Sequence, residues 1–310
     1  MTLLHRPQLL KLAALTGHRD CVYALAGHAA EDAFFSAGAD GLVVSWSIEQ
    51  PEQDGQLVAR VENSVYALHY VAGRGLLVIG HNYQGVQVID LAQKQLWCAT
   101  ALPPVAIFDF AYSEVRQRLY VAIGDGTLAV LRAADFSLEL LLRVADKSLR
   151  SLALHEERGE LAIGTSDATV RILDADSLQL RYTLAEATNS VFTVAYSPDG
   201  TQLLAAGRDA HLRAYDVAAD YRENLTVVAH LFAINHLAFS PNGQFFATCS
   251  MDKSIKLWEA STGRLLRVVD RARSAGHGTS VNRLFWSGRQ NRLVSCSDDR
   301  SLAVWQLLQE

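Results

Sequence analysis

Short apolar segments ending on a large side chain recur through the chain, closing at Trp46, Ile89, Leu131, Leu173, Tyr215, Trp258 and Trp305. The spacings between these anchors are 43, 42, 42, 42, 43 and 47 residues. Such a period constrains the fold more than any other feature. Self-similarity at about 20–50 residues marks units that bury their apolar faces only by stacking on one another. Each unit reads as strands of about five residues separated by turns, and helical periodicity is nowhere sustained, so the chain is an all-β repeat protein. A length of 310 residues would otherwise suggest two domains; the repeat predicts one assembly over residues 1–310.

Six residues before the anchor stands Asp40, Asp125, Asp167, Asp209, Asp252 or Asp299. Only the second repeat departs, with Tyr83 in that place and Asn82 beside it. A short carboxylate suits a tight turn between strands because it accepts the backbone N–H groups that the turn leaves unpaired. An earlier strand in each unit closes, in two repeats, on Ser197-Pro-Asp-Gly200 or Ser240-Pro-Asn-Gly243, where Pro and Gly fix the backbone angles of a hairpin.

Three repeats carry a four-residue constellation at offsets 0, 18, 22 and 28: His18, Ser36, Asp40, Trp46; His230, Thr248, Asp252, Trp258; and His277, Ser295, Asp299, Trp305. Indole N–H is a donor only, hydroxyl and imidazole donate and accept, and a carboxylate accepts only, so the four types form a directed chain. With this set and its period, the sequence resembles the WD-repeat β-propeller family over essentially its whole length. The resemblance implies that the constellation is a buried structural network, running from Trp through hydroxyl and His to Asp. A Ser-His-Asp hydrolase reading conflicts with its threefold recurrence beside tryptophan, because an enzyme needs one exposed nucleophile.

The resemblance also implies seven blades of four antiparallel strands around a central channel. The last repeat supplies three strands before Glu310, so residues 7–16 are expected to complete the last blade. The other four repeats lack the histidine, and packing is expected to replace the network there.

In such propellers the face carrying the turns before the innermost strand is the usual partner surface. The place 23 residues before each anchor holds Tyr23, Tyr66, Phe108, Arg150, Phe192, Asn235 and Asn282. The place before the turn Asp holds Arg208, Met251 and Asp298 in the last three repeats. Aromatics and Arg dominate interface hot spots, which favours a protein-binding ring, although strands favour aromatics in an inter-blade core as well. Arg150 and Arg208 are poor core residues and point to an acidic or carboxylate-bearing segment. The expected function is therefore a non-catalytic scaffold binding a peptide or protein segment on one face.

Two alternatives belong to other classes. A propeller hydrolase or lactonase needs converging His, Asp and Glu at the channel mouth, whereas the ring places offer only Asp298, and His81, His155, His211 and His236 read as turn or surface residues. A small-molecule or glycan binder would use the aromatic ring. No cofactor or metal is expected: Cys21, Cys98, Cys249 and Cys296 form no CxxC pair and read as buried free thiols. With 28 Lys plus Arg against 33 Asp plus Glu, the net charge of −5 offers no basic footprint for nucleic acid. Apolar runs are too short for a membrane span, and the first residues lack a signal-peptide pattern, so a cytoplasmic protein is expected; it is expected to be monomeric by itself. Residues 270–278 account for the one long spacing and read as a linker.

Overall fold

The computed structural model describes residues 7–28 and 30–308. They form seven four-stranded antiparallel sheets, packed side by side in a closed ring with the last against the first. Blade 1 runs from Val22–Gly27 through Ala33–Gly38 and Leu42–Ser47 to Gln56–Arg60, and blades 2 to 6 repeat that order from inside to outside. Blade 7 is made of Val281–Ser287, Arg292–Ser297, Leu302–Leu308 and, outermost, Gln8–Leu15. There Gln8 pairs with Leu308 and Leu15 with Leu302, with one bulge between Lys11 and Ala13. The ring is thus latched by a pairing between chain ends, as the three-stranded last repeat required.

The repeat cannot bury its faces alone, and the packing shows why. The described residues form seven apolar clusters, one at each junction between neighbouring blades. The cluster between blades 7 and 1 joins Trp46 and Phe34 to Cys296 and Val304. Each blade depends on both neighbours for its core, so the apolar stabilisation is distributed around the ring rather than concentrated at a centre.

Blades 1, 6 and 7 contain the four-residue networks. In blade 1, Trp46 Nε1 donates to Ser36 Oγ at 2.8 Å, which lies 2.8 Å from His18 Nε2, and His18 Nδ1 meets Asp40 at 3.0 Å. Blade 6 repeats this through Trp258, Thr248, His230 and Asp252 at 2.9, 2.8 and 2.9 Å. In blade 7, Trp305, Ser295, His277 and Asp299 stand 2.9, 2.8 and 3.0 Å apart in turn. The acceptor-only carboxylate fixes the proton on Nδ1 and leaves Nε2 to accept the hydroxyl. Burial alone would raise the Asp252 and Asp299 carboxyls, but bonds from His230 and Ser254, and from His277 and Ser301, hold both well below the usual carboxylate range.

The degenerate blades do not rely on packing alone, which corrects the expectation for blades 4 and 5. There an arginine four residues on replaces the histidine: Arg171 pairs with Asp167, and Arg213 with Asp209, each at 2.8 Å. Three further readings change. His81 is buried in the strand Leu76–His81, where Gln87 across the hairpin meets its Nδ1 at 3.0 Å. His236 lies on the innermost strand of blade 6 and accepts from Leu284 N of blade 7 at 3.3 Å. Neither is a turn or surface residue. Cys249 and Cys296 are buried, but Cys21 and Cys98 are only partly so.

The insertion after blade 6 is more than a relaxed connection. Arg271–Ser274 forms one helical turn, capped by Asp270 accepting from Arg273 N at 2.8 Å. Lys11 Nζ of the latching strand donates to Ala275 O at 2.8 Å.

Candidate functional site

One backbone irregularity recurs at the start of the innermost strands. Their register with the second strand slips between Val22 and Ala24, Ile107 and Asp109, Leu149 and Ser151, Val191 and Thr193, Ile234 and His236, and Val281 and Arg283. In blade 2 the slip is wider, from Val65 to Leu68. The skipped residues are Tyr23, Phe108, Arg150, Phe192, Asn235 and Asn282, with Tyr66 and Ala67 in blade 2. A bulge frees one residue from strict alternation and re-aims its side chain. These seven consequently face the channel mouth instead of an inter-blade cluster, and they line a cavity of about 430 Å³.

The turns around that mouth are tied together. Ala39, Gly124, Ser166, Arg208, Met251 and Asp298 each donate a backbone N–H to the carbonyl two residues before a bulge residue, at 2.8 to 3.1 Å. The small residues at that place also bridge blades: Ser148 Oγ donates to Gly124 O at 2.6 Å and Ser190 Oγ to Ser166 O at 3.3 Å. A rigid collar results.

Within the collar, five side chains stack in an arc across blades 1 to 5. Ring centroids lie 4.9 Å apart for Tyr23 and Tyr66 and 5.7 Å for Tyr66 and Phe108. The Arg150 guanidinium follows, 3.8 Å from the Phe108 centroid and 4.9 Å from that of Phe192. Burial lowers the affinity of Arg150 for its proton, partly offset by Tyr66, and burial pushes the Tyr23 phenol up with help from Cys21.

The two asparagines complete the circle in a different role. Asn235 Nδ2 donates to Ser280 Oγ at 2.9 Å and Val281 O at 2.8 Å, and Asn282 Nδ2 to Val22 O at 2.9 Å and Asp298 Oδ1 at 2.7 Å. Asn235 thereby holds blade 7, and Asn282 holds blade 1 as well as a turn of its own blade. Arg208 and Met251 are exposed on the same rim, and with Asp298 they stand outside the cavity lining.

Sequence reasoning missed three elements. Tyr83 lines the cavity and is 59% exposed. It occupies the place of the turn Asp in the one repeat that lacks it, with a left-handed φ of 70°, while Asn82 Oδ1 accepts from Ile107 N of blade 3 at 2.9 Å. The other two are an ion pair. Arg283 of blade 7 lines the cavity and bonds to Asp109 of blade 3 at 2.7 Å, a contact across the channel. Asp109 also accepts from Leu152 N at 2.9 Å and Ser151 Oγ at 3.2 Å. Ser151 accepts in turn from Val194 N at 3.2 Å, and Thr193 from Leu237 N at 3.3 Å. The residues after the bulges thereby carry bonds from blade 3 round to blade 7. Blades 1 and 2 have Ala24 and Ala67 one residue after Tyr23 and Tyr66, and the Arg283–Asp109 pair spans the gap.

The family model described as WD domain, G-beta repeat matches residues 10–47, 178–216, 222–259 and 269–306. The chain belongs to the WD-repeat β-propellers. The matched units begin one strand before each blade, so a WD repeat here ends on the third strand of its blade, at the anchor. The anchors outside the matches are Ile89, Leu131 and Leu173, of blades 2 to 4. Part of the chain is similar to Topless-related protein 1 of Arabidopsis thaliana, 40% identical over 72 residues, which is 23% of this chain and 6% of that protein. Topless-related protein 4 of the same plant is 42% identical over 59 residues, 18% of this chain and 5% of that one. Notchless protein homolog, also from Arabidopsis thaliana, is 40% identical over 42 residues, 14% and 9% respectively. The WD-repeat chain thus covers less than a tenth of each relative.

The lining of the mouth includes no carboxylate and no histidine. Among the described residues no group of three or more His, Cys, Asp and Glu is placed to hold a metal ion. No helix among them is long and apolar enough to cross a membrane.

Proposed function

We propose that this WD-repeat propeller is a non-catalytic scaffold that binds a segment of a partner protein across the channel mouth on the bulge-bearing face. The observation that carries the reading is the stacked arc from Tyr23 to Phe192: five large side chains turned out of the blade cores by bulges and held in a fixed collar. Such a surface offers aromatic area with little ordering cost, which is what hot spots need. The partial similarity to Topless-related and Notchless proteins is consistent with it. Affinity capture from the source cell with wild type and a Tyr23→Ala/Tyr66→Ala variant tests it, once equal melting shows the variant folded. Proteins retained by wild type and lost by the variant support the scaffold; identical retention by both rejects the mouth as the interface.

A further inference from the structure

Resting on that reading, we propose that the mouth selects an acidic segment: one Asp or Glu side chain of the partner pairs with Arg150, and an adjacent apolar or aromatic side chain lies on Tyr23, Tyr66 and Tyr83. Arg150 has no ion pair with any described residue, and its Nε is buried without a hydrogen-bond partner. Its guanidinium lies between the Phe108 and Phe192 rings, 3.8 and 4.9 Å from their centroids, which fixes where its donors are offered. The only other cation in the lining, Arg283, is neutralised by Asp109. The cavity therefore carries one uncompensated positive charge and no carboxylate. A guanidinium in that state binds carboxylate through paired N–H donors, more strongly where water is displaced. Burial lowers the proton affinity of Arg150, as desolvation without a counter-charge requires, but arginine stays charged throughout the working range.

The rim decides between an internal acidic residue and a chain terminus. Exposed apolar side chains stand on both sides of the mouth, Tyr83 at 59% on blade 2 and Phe232 at 62% and Met251 at 53% on blade 6, nearly opposite. A segment covering both must cross the opening and continue, which places a side chain rather than a terminal carboxylate over Arg150. Arg208, exposed on neighbouring blade 5, extends the basic side of the rim. The overall charge of −5 does not oppose this, because exposed charges beyond about 8 Å are screened at physiological salt.

The test is selection of a random 12-residue library, displayed without free C-termini, on the full chain, followed by affinity measurement of the selected peptides. The expected peptides carry Asp or Glu beside an aliphatic or aromatic residue, and Tyr66→Ala abolishes their binding. Changing that Glu to Gln in the peptide weakens binding to wild type at least tenfold, but changes binding to an Arg150→Gln variant less than twofold. The peptide-side change reads the contact even where the Arg150 variant folds poorly. Peptides that need Tyr66 but are indifferent to their acidic residue overturn the acidic specificity and leave the scaffold standing. If only a parallel library displayed with free C-termini yields binders, and these lose binding when made as amides, the crossing geometry is overturned. Peptides indifferent to Tyr66 overturn both readings.

Discussion

Asp299 and Asp125 occupy the same turn in blades 7 and 3, yet their replacement by alanine should differ sharply. Asp299 accepts from His277 Nδ1 at 3.0 Å, Gly278 N at 3.1 Å, Ser301 N at 3.1 Å and Ser301 Oγ at 2.6 Å. His277 is 3% exposed, so Asp299→Ala leaves its ring N–H without the acceptor that fixes the tautomer for Ser295 and Trp305. One stranded buried donor costs about 1–3 kcal/mol, and the lost charge-assisted bonds add to it. We expect a loss of about 3 kcal/mol. Asp125 accepts from Thr127 N at 2.9 Å and has no histidine above it, so Asp125→Ala should cost about 1 kcal/mol, the worth of an ordinary turn bond. For a chain of this size, about 2 °C of melting temperature per kcal/mol separates the variants by roughly 4 °C. Calorimetry and urea unfolding measure both. Equal losses, or a larger one for Asp125→Ala, refute the claim that the network rather than the turn supplies the stability of blade 7.

Removing residues 7–16 exposes the edge of Leu302–Leu308 and the buried Leu9 and Leu15 contacts; the truncated chain should aggregate or lose its cooperative melt in light scattering and calorimetry. Arg283→Ala leaves the Asp109 carboxylate, 6% exposed, without its counter-ion and should cost about 2 kcal/mol, with less for Arg283→Ala/Asp109→Asn in a urea-unfolding cycle. Tyr83→Gly removes a bulky side chain from a left-handed backbone, so its melting temperature should hold or rise while partner affinity falls. Burial depresses His69, on the innermost strand Val65–Val71 of blade 2, from 6.5 to about 4, partly offset by Asp109, and burial beside Arg283 depresses His236 as well. The unfolded chain then takes up protons that the fold refuses, so stability is present above pH 6.5 and declines as pH falls toward 4. For His69 this is about 2 kcal/mol between pH 7 and 5, and a His69→Gln variant should show a correspondingly shallower fall in melting temperature.

The blade count, the anchors and the three networks were legible because each rests on identity at a fixed spacing, which the chain repeats. Ring closure was legible from a strand deficit. The orientation of the site residues was legible only through the family resemblance, not from the residues themselves. Tyr23 and Phe108 sit in sequences that alternate like any half-buried strand, and only the register slip, a backbone event with no residue signature, turns them outward. The Arg283–Asp109 pair joins residues 174 apart, at a place where the other blades hold Ala, Ser, Thr or His. No repeat statistic pairs two singular residues across a channel. Tyr83 was visible as the one exception to the turn Asp, but neither its left-handed φ nor its place in the cavity lining was. The arginines that replace histidine in blades 4 and 5 stood in plain view at Asp plus four; what concealed them was the expectation that a degenerate repeat relies on packing alone.

The most direct measurement of the central claim is site-specific photo-crosslinking in the source cell, with a benzophenone side chain replacing Tyr83 at the mouth or Val115, 78% exposed on an inner hairpin of blade 3 at the opposite face. If the bulge-bearing mouth is the interface, a discrete protein adduct forms from position 83, is absent from position 115, and disappears when Tyr66→Ala is added. Adducts from position 115 with none from 83, or an adduct at 83 that survives Tyr66→Ala, contradict it.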